Sequence, residues 1–318
     1  MSNTLSLIGR RLLQLPVMIL GITFLVFFVM SFSPIDQARV ALGETASPEA
    51  LEAYRESHGL DLPLFARYLA FLAGLFRLDL GTYSARSLPV IDEVSRAFPV
   101  TISLTFFGLI IAVIIAFAIG VVAAVYRDRW PDQVIRFFGV AALSTPSFWL
   151  AILLIQVFTL GLGVLPASGP LPDFWTEPAA WLARMTLPAV ALAVPVIGQL
   201  SRVVRTSMVE ELDKDYVRTA LGAGIPRVVV VGRNVLRNAL ITPVTVLGLR
   251  IGYLLGGAVV IEIIFAIPGM GTLILNGVTN NEPNLVQGVT LAVALAFVVI
   301  NIIVDLLYVL INPRIRAV

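Results

Sequence analysis

Six long apolar stretches are the feature that most constrains what this chain can fold into. They cover residues 12–32, 100–125, 135–160, 187–204, 240–265 and 285–310. A helix needs about 20 mostly apolar residues to cross the hydrocarbon core of a bilayer. We therefore predict an all-α polytopic membrane protein with six transmembrane helices. The first stretch is longer than the apolar core of a cleavable signal peptide, and no small-residue cleavage site follows it. We therefore predict that it is a span and not a signal peptide.

The composition excludes several classes of site. Hydrophobic residues make up 58% and charged residues 13% of the chain, whereas soluble domains carry roughly 25% charged residues. There is no cysteine, and His58 is the only histidine, so thiolate sites and histidine metal clusters are excluded. Lys214 is the only lysine and follows no glycine-rich turn. A phosphate-binding loop for ATP is therefore absent from this sequence.

The basic residues predict the orientation of the spans. They cluster in four segments: Arg10 and Arg11; Arg127, Arg129 and Arg136; Arg202, Arg205, Lys214, Arg218, Arg227, Arg233 and Arg237; Arg314 and Arg316. With six spans, all four clusters fall on one side, which the positive-inside rule identifies as the cytoplasm. The loop at 161–186 carries only Arg184, and the loop at 266–284 carries no basic residue. Both termini are therefore predicted to be cytoplasmic.

The segment at 33–99, between the first two spans, carries helix signals of its own. Ser47-Pro48-Glu49 predicts a helix start, and Gly59 predicts its end. A second helix is predicted over 64–76, where Phe65, Leu69, Leu72 and Phe76 recur at helical spacing. That apolar face either packs on the spans or lies on the membrane surface. We interpret His58 as an ordinary loop residue.

Helix breakers and small residues interrupt the spans. Ser144-Thr145-Pro146 breaks the third span, and Pro188 and Pro195 bracket the fourth. Gly248, Gly252 and Gly256 form one stripe on the fifth, which either packs against a neighbouring helix or lines a pathway. No internal repeat is evident, which argues against the inverted-repeat secondary transporters.

The segment between the fourth and fifth spans is the longest predicted cytoplasmic piece. Asp213 or Asp215 is a candidate cap for a short helix over 216–223, and Gly224 is its candidate terminator. Pro226 then predicts the start of a further helix. Patterning alone leaves two interpretations open, a docking site for a partner and a solvated amphipathic loop.

This segment resembles a known motif. Asp215-Tyr216-Val217-Arg218-Thr219-Ala220-Leu221-Gly222-Ala223-Gly224 is similar to the coupling-helix motif of ABC importer permeases of the dipeptide/oligopeptide/nickel family. Arg218 stands where the wider family has a glutamate, as in this branch. The long segment after the first span resembles that of the first permease of the pair. Further segments agree: Gly59-Leu60-Asp61, Leu78-Asp79-Leu80-Gly81, Thr145-Pro146-Ser147-Phe148-Trp149-Leu150, Leu165-Pro166-Ala167-Ser168-Gly169, Leu236-Arg237-Asn238-Ala239-Leu240, Leu254-Leu255-Gly256-Gly257-Ala258-Val259, Ile267-Pro268-Gly269-Met270-Gly271, Asp305-Leu306-Leu307-Tyr308 and Asn312-Pro313-Arg314-Ile315-Arg316.

The resemblance implies a type I ABC importer permease in the bacterial inner membrane. Its expected partners are a second homologous permease, two ATP-binding subunits, an extracytoplasmic solute-binding protein, membrane lipid and a peptide substrate, with no nucleic acid. ATP and Mg²⁺ are expected on the ATPases, so the resemblance implies that this chain itself binds no cofactor and is not an enzyme. The residues expected to touch the ATPase are Asp215, Tyr216, Arg218, Thr219, Ala220 and Gly224.

The implied organisation divides the chain into a cytoplasmic start and tail, an outer segment and a permease core. These parts are residues 1–11, the first span 12–32, the extracytoplasmic segment 33–99, the core 100–310 with a coupling segment at 205–238, and the tail 311–318. Two positions depart from the family pattern. Asn280-Asn281-Glu282-Pro283 lacks a usual aspartate or arginine, and Asn312-Pro313-Arg314 replaces Asp-Pro-Arg.

Three ionisable residues stand out within the predicted spans: Arg250, Glu262 and Asp305. Such groups are costly in a bilayer and usually face protein or water. We predict a translocation pathway or gate at Arg250, Glu262, Gly256 and Pro146. The alternative for Arg250 is a structural partner on another span, and Asp305 is expected to pair with an arginine. The competing function is an ion-coupled secondary transporter using Glu262 or Asp305. An intramembrane enzyme is disfavoured because no His-Glu-x-x-His or Gly-x-Ser-x-Gly motif is present.

Overall fold

The computed structural model describes the backbone of residues 2–32, 36–43, 45–83 and 88–311, and their side chains except at 2–15, 249 and 305–311. In chain order the first helices are α1 (Ser2–Ser31), α2 (Gln37–Leu42), α3 (Pro48–Ser57) and α4 (Leu64–Phe76), followed by the antiparallel ribbon β1 (Thr82–Tyr83) and β2 (Leu88–Pro89). Then come α5 (Val90–Val125), α6 (Trp130–Ser144), α7 (Ser147–Leu154), which continues as a π-helical segment (Ile155–Gly161), and α8 (Pro178–Leu212). The last group is α9 (Asp215–Gly222), α10 (Arg227–Val229), a second π-helical segment (Val230–Val235), α11 (Leu236–Ala239), α12 (Ile241–Ile264), α13 (Met270–Thr279) and α14 (Pro283–Ile311).

Long apolar helices dominate the described part of the chain, as predicted. Four of them are long and apolar enough to cross a membrane: Val90–Val125, Pro178–Leu212, Ile241–Ile264 and Pro283–Val304. The pair α6 and α7 would make a fifth if it counts as one bent span. In α1 the part with described side chains, Pro16–Ser31, is a shorter apolar helix. The mostly helical membrane architecture is confirmed, whereas the number of six spans stays a prediction.

The predicted third span is sharply bent. Trp130–Ser144 and Ser147–Gly161 meet at 103°. The break falls where the sequence predicts it, because Pro146 has no N–H to donate and disfavours helical geometry at the preceding residue. Thr145 is accordingly extended, with φ −89° and ψ 117°. Pro188 and Pro195 do not interrupt their helix and lie inside the continuous α8.

The main apolar cluster joins α5, α8 and α12 through side chains that include Leu104, Met185, Leu192, Leu254 and Phe265.

Small residues allow these helices to lie close together. A Cβ on Gly120 of α5 would lie 2.8 Å from the Val204 side chain of α8. One on Gly198 of α8 would lie 2.6 Å from the carbonyl oxygen of Gly139 in α6. Packing through glycine and alanine is the expected mode of helix association in a bilayer.

Helix α3 forms as its sequence signals predict. The Ser47 Oγ accepts a hydrogen bond from the Ala50 N–H at 3.2 Å, and Pro48 occupies the first turn. Gly59 adopts φ +62° just after the helix ends. His58 terminates the helix and stacks on the Tyr54 ring at 3.9 Å between centroids. The local signals were sufficient to predict α3 and its two ends, because every contact they describe lies within one or two helical turns.

Helix α4 packs through a different face from the one the sequence suggests. Its buried residue is Tyr68, whose hydroxyl donates to the Leu20 carbonyl of α1 at 3.0 Å and lies 3.0 Å from the Thr23 hydroxyl. Phe65, Leu69 and Phe76 are exposed, Phe76 at 88%. Within the described part of the chain, Leu72 of the predicted face is half-buried, and the other three residues are not packed on the spans. The alternative, that this face lies on the membrane surface, stays a prediction. Helical spacing defined the apolar face, but a tyrosine able to bond a backbone carbonyl decided which side meets α1.

Candidate functional site

The short helix α9 forms close to the predicted position. It covers Asp215–Gly222, and Gly224 follows with φ +81°, a conformation that glycine adopts without the strain of a Cβ. The predicted cap is wrong, because the residue at the N-cap is Lys214 and no side chain caps the helix. Asp215 is instead the first helical residue, where its charge favours the positive end of the helix dipole. Pro226 begins α10 as predicted.

One face of α9 is anchored to the end of α8. Val217 is buried among apolar side chains that include Met208 of α8 and Val230 of the second π-helical segment. The Tyr216 hydroxyl donates to Glu211 Oε1 at 3.0 Å, and Lys214 Nζ contacts the other oxygen of Glu211. Apolar and polar contacts therefore both link α9 to α8.

The opposite face of α9 is exposed. Arg218, Thr219 and Gly224 are exposed, and Ala220 is half-buried. Arg218 has only an i,i+3 pair with Asp215 at 3.7 Å, and both side chains are well exposed, so the pair contributes little stability. Five of the six predicted coupling residues lie on this helix and Gly224 follows it, but Tyr216 lies on the anchored face and not on the exposed one.

Exposed apolar side chains continue this face beyond the helix. Leu221, Ile225, Val228 and Val229 are all exposed, Val228 at 83%. Exposed apolar residues rimmed by polar ones are typical of protein–protein contact sites. No sequence pattern distinguished Val228 and Val229 from the start of the further helix predicted after Pro226. We call residues 215–229 the α9 surface.

The three glycines of the stripe on α12 differ in their surroundings: two pack against α14, and one has open space beside it. A Cβ on Gly248 would lie 2.2 Å from Val304 of α14, and one on Gly252 would lie 2.4 Å from Phe297. Gly256 is exposed, and no described residue outside its own helix turn has an atom within 4 Å of the same position. The first two glycines are therefore packing residues, and only Gly256 has room beside it for a pathway.

We expect Gly248→Ala to lower the stability of the protein by about 1–3 kcal/mol, the usual cost of overpacking. The β-branched Val304 is stiff at χ1 in a helix and cannot easily move aside. The matched variant Gly256→Ala meets no atom and should be neutral or slightly stabilising, because alanine favours a helix more than glycine does. Thermal unfolding in detergent measures both. Equal unfolding temperatures for the two variants would contradict this division of the stripe.

The predicted pathway residues lie apart from one another. Arg250 stacks over the Tyr253 ring at 5.5 Å, and no carboxylate in the described part of the chain forms an ion pair with it. Arg250, Gly256 and Glu262 share α12, with 12 residues, or about 18 Å along the helix, between the two charges. Pro146 is exposed at the bend before α7. The side chain of Asp305 lies outside the described residues, as does the whole of Asn312-Pro313-Arg314.

Glu262 is fully buried and holds the turn between α12 and α13. Its Oε2 accepts a hydrogen bond from the Gly271 N–H at 2.7 Å. A Cβ on Gly269 would lie 2.3 Å from the carboxylate, so this turn fits around it only because the residue is glycine. The sequence left two interpretations of Glu262, a gate residue and a packing residue. The geometry shows the packing contact directly.

Arg184 holds the same turn from the other side. The sequence places it in a loop, but it lies inside α8 and is only 2% exposed. Its guanidinium donates to the carbonyl oxygens of Ala167 at 2.9 Å and Phe265 at 2.5 Å, with Ala266 at 3.4 Å. We call Arg184, Glu262 and residues 265–271 the turn clamp. The sequence offered one signal for this role of Arg184. It is the only basic residue in the predicted loop at 161–186, and it lies beside an apolar stretch.

A buried ion pair links α6 and α8 at the end of the molecule where α9 lies. Asp132 is fully buried and accepts from Arg205 Nε and Nη2, both at 2.6 Å. It also accepts from the Asp128 N–H at 2.9 Å. In the sequence, Arg205 is one of the basic charges that predict the orientation of the spans. The structure gives it a second role, because the bidentate geometry fixes two helices to each other.

Comparisons with known proteins agree with this architecture. Residues 116–317 match the family described as the binding-protein-dependent transport system inner membrane component, and residues 4–105 match the N-terminal part of such membrane components. A putative peptide transport system permease of Brucella abortus (strain 2308) is 40% identical, covering 98% of this chain and 99% of that protein. A probable D,D-dipeptide transport system permease of Escherichia coli K12 is 36% identical, covering 98% and 97%. A glutathione transport system permease of the same strain is 37% identical, covering 98% and 99%.

Proposed function

The chain belongs to the family of binding-protein-dependent transport system inner membrane components, and from this membership we propose that it forms half of the pathway of an ATP-driven importer of dipeptides or short oligopeptides. It is a multi-pass membrane permease. The peptide substrate follows from the names of relatives that match over nearly the full chain.

The proposed assembly contains a second homologous permease, two ATP-binding subunits and an extracytoplasmic solute-binding protein. We place six spans in the membrane, both termini in the cytoplasm, and residues 33–99 outside. In this orientation the α9 surface faces the ATPases, because the basic clusters beside it are cytoplasmic by the positive-inside rule.

The α9 surface is the observation that carries this proposal. An eight-residue helix with one face bound to α8 and the other face exposed is suited to transmit the movement of a docked partner. Small residues at its end allow close seating, and Arg218 presents a planar guanidinium to an acidic partner. The ATP-binding subunits supply the nucleotide site, because this chain has no phosphate-binding loop.

The alternative, a proton-coupled carrier using Glu262, has less support. A coupling carboxylate must exchange protons with water, whereas Glu262 is fully buried and bonded to the Gly271 backbone. The other candidate, Asp305, has no described side chain.

The deciding experiment compares energy sources for uptake. The chain is copurified with the products of neighbouring genes and reconstituted in lipid vesicles with the peptide-loaded binding protein. We expect ATP-dependent peptide uptake, and ATP hydrolysis that the loaded binding protein stimulates more than the empty one. Dissipating the proton gradient should leave uptake unchanged. Uptake by this chain alone, driven by an ion gradient without ATP, would overturn the proposal.

A further inference from the structure

A cavity of about 240 Å³ lies between α6 and α8 and is bounded on its third side by α5. A single water molecule needs only about 10–15 Å³ of such space, so the cavity has room for an anionic group together with several waters. Its apolar wall includes Ile135, Val140 and Leu143. None of the described residues that line it is acidic. Its polar lining consists of side chains that carry hydrogen-bond donors: Arg136, Arg202, Arg205, Ser201 and Thr206.

The charge around this cavity is positive. Arg205 is neutralised by its two bonds to the buried Asp132, and its Nη2 also lies 4.0 Å from the exposed Asp128. Arg136 approaches Asp132 only at 3.6 Å and is exposed. Arg202 is exposed and forms no ion pair with any described side chain. Two guanidinium groups therefore remain available to an anion at this site.

Three predicted spans place the cavity at the cytoplasmic boundary of the hydrocarbon core. Arg136 follows the start of the third span, 135–160, by one residue, and Arg202 and Ala123 precede the ends of the fourth and second spans, 187–204 and 100–125, by two residues each. These offsets correspond to about 3 Å or less along a helix. Trp130, the first residue of α6, is 75% exposed, and tryptophan is enriched at membrane–water interfaces. The cavity is therefore expected at the level of the lipid headgroups and not within the hydrocarbon core.

We propose that this cavity binds the phosphate of an anionic phospholipid of the cytoplasmic leaflet, with Arg136 and Arg202 as its ligands. The inference rests on the orientation of the spans given with the proposed function, and not on the peptide substrate. A guanidinium group presents a planar fork of donors that matches the oxygens of a phosphate. Basic pockets between spans on the cytoplasmic side are a known form of site for such headgroups. The serine and threonine hydroxyls of the lining add donors of the same kind.

An apolar surface for the acyl chains adjoins the cavity on α6. Val140 lines the cavity and is 58% exposed, and Phe137 and Phe138 are exposed as well. All three follow Arg136 in the chain and lie within the predicted third span, so they reach further into the membrane than the arginine does. A free phosphate ion would contact the guanidinium groups alone, whereas a phospholipid contacts both surfaces. The combination therefore favours a lipid as the occupant.

The test titrates phosphatidylglycerol onto the full chain, purified with the partners that copurify with it, and counts bound lipid by native mass spectrometry. We expect saturable binding, which Arg136→Gln and Arg202→Gln each weaken about fivefold or more, the effect of losing one arginine beside an anionic headgroup. Arg202→Lys keeps the charge but loses the fork, and should retain part of the affinity. Arg129→Gln is the matched control, because it removes an exposed arginine from the loop before α6, outside the cavity. At an ionic strength of about 0.15 M it should change the affinity by less than about twofold, because separated exposed charges are screened.

A second measurement locates the lipid. Phosphatidylglycerol with a photoreactive acyl chain is added to the same preparation, and the labelled peptides are identified by mass spectrometry. We expect the label within α6, at or after Arg136, and a loss of this label in Arg202→Gln. Inorganic phosphate at equal concentration should not compete with the lipid.

Four outcomes would overturn the assignment. Equal affinity for phosphatidylglycerol and the zwitterionic phosphatidylcholine means that the site does not recognise an anion. Equal weakening in Arg129→Gln and Arg202→Gln means that the basic surface as a whole attracts the lipid. Competition by inorganic phosphate identifies a phosphate site, and label confined to other helices means that a protein partner covers this face of α6. Absence of ATP-dependent uptake is distinguishable from all four, because it refutes the proposed function and leaves the lipid measurements unaffected.

Discussion

Replacing Gly224 by tryptophan is expected to abolish ATP-driven uptake and to weaken copurification of the ATP-binding subunits. Gly224 follows α9 with φ +81°, and beyond its two chain neighbours no atom of the described residues lies within 4 Å of the position that a Cβ would take. The side chain would therefore project from the α9 surface into the space where we place the ATPase. A tryptophan brings 150–250 Å² of surface, which prevents close seating. Uptake, ATP hydrolysis and subunit stoichiometry measure the effect.

Two control variants separate steric blocking from backbone strain. Gly224→Ala introduces the strain of a positive φ, about 1–2 kcal/mol, but little bulk, and should retain most of the uptake. Gly163→Trp places the same bulk at φ +64°, also with no atom within 4 Å, in the loop before α8. It should assemble and transport normally. If Gly224→Trp behaves like Gly163→Trp, the α9 surface is not the docking site.

Replacing Arg184 by methionine is expected to cause a large loss of stability at the turn clamp. Methionine fills a similar volume but leaves the buried Phe265 carbonyl without its donor, and an unsatisfied buried acceptor costs about 1–3 kcal/mol. The contacts to Ala167 and Ala266 are lost as well. We expect a lower unfolding temperature in detergent and faster proteolysis within residues 265–271. Lysine should not rescue the variant, because it lacks the fork that reaches separate carbonyls.

The matched control removes an exposed arginine near the start of α5. Arg96 makes an i,i+3 pair with Glu93 at 3.3 Å and is well exposed, so Arg96→Met should change stability by no more than about 0.5 kcal/mol. Glu262→Gln tests the other side of the clamp and should be mild, because an amide oxygen can still accept from the Gly271 N–H. An Arg184→Met protein as stable as Arg96→Met would show that the clamp contributes nothing.

The features that the sequence predicts well depend on neighbouring residues in the chain. Apolar length identified the long helices, and Pro146 identified the bend of the third. Ser47, Pro48 and Gly59 bounded α3, and Gly224 bounded α9. Each of these effects acts within a few residues of its cause. The wrong predictions concern features that residues far away in the chain control. The N-cap of α9 and the packing face of α4 depend on contacts with α8 and α1.

The sequence by itself determined that this protein is a helical membrane protein and where its short exposed helix lies. These properties follow from the solvation of apolar segments and from local backbone preferences, whereas its family was indicated by resemblance of its motifs. Only the tertiary structure decided what the charges and glycines do. It buried Arg184 against three carbonyls, joined Asp132 to Arg205, and left Arg202 beside a cavity. It also packed Gly248 and Gly252 while leaving Gly256 open. Such assignments depend on which helices meet and at what depth, and residues far apart in the chain set both.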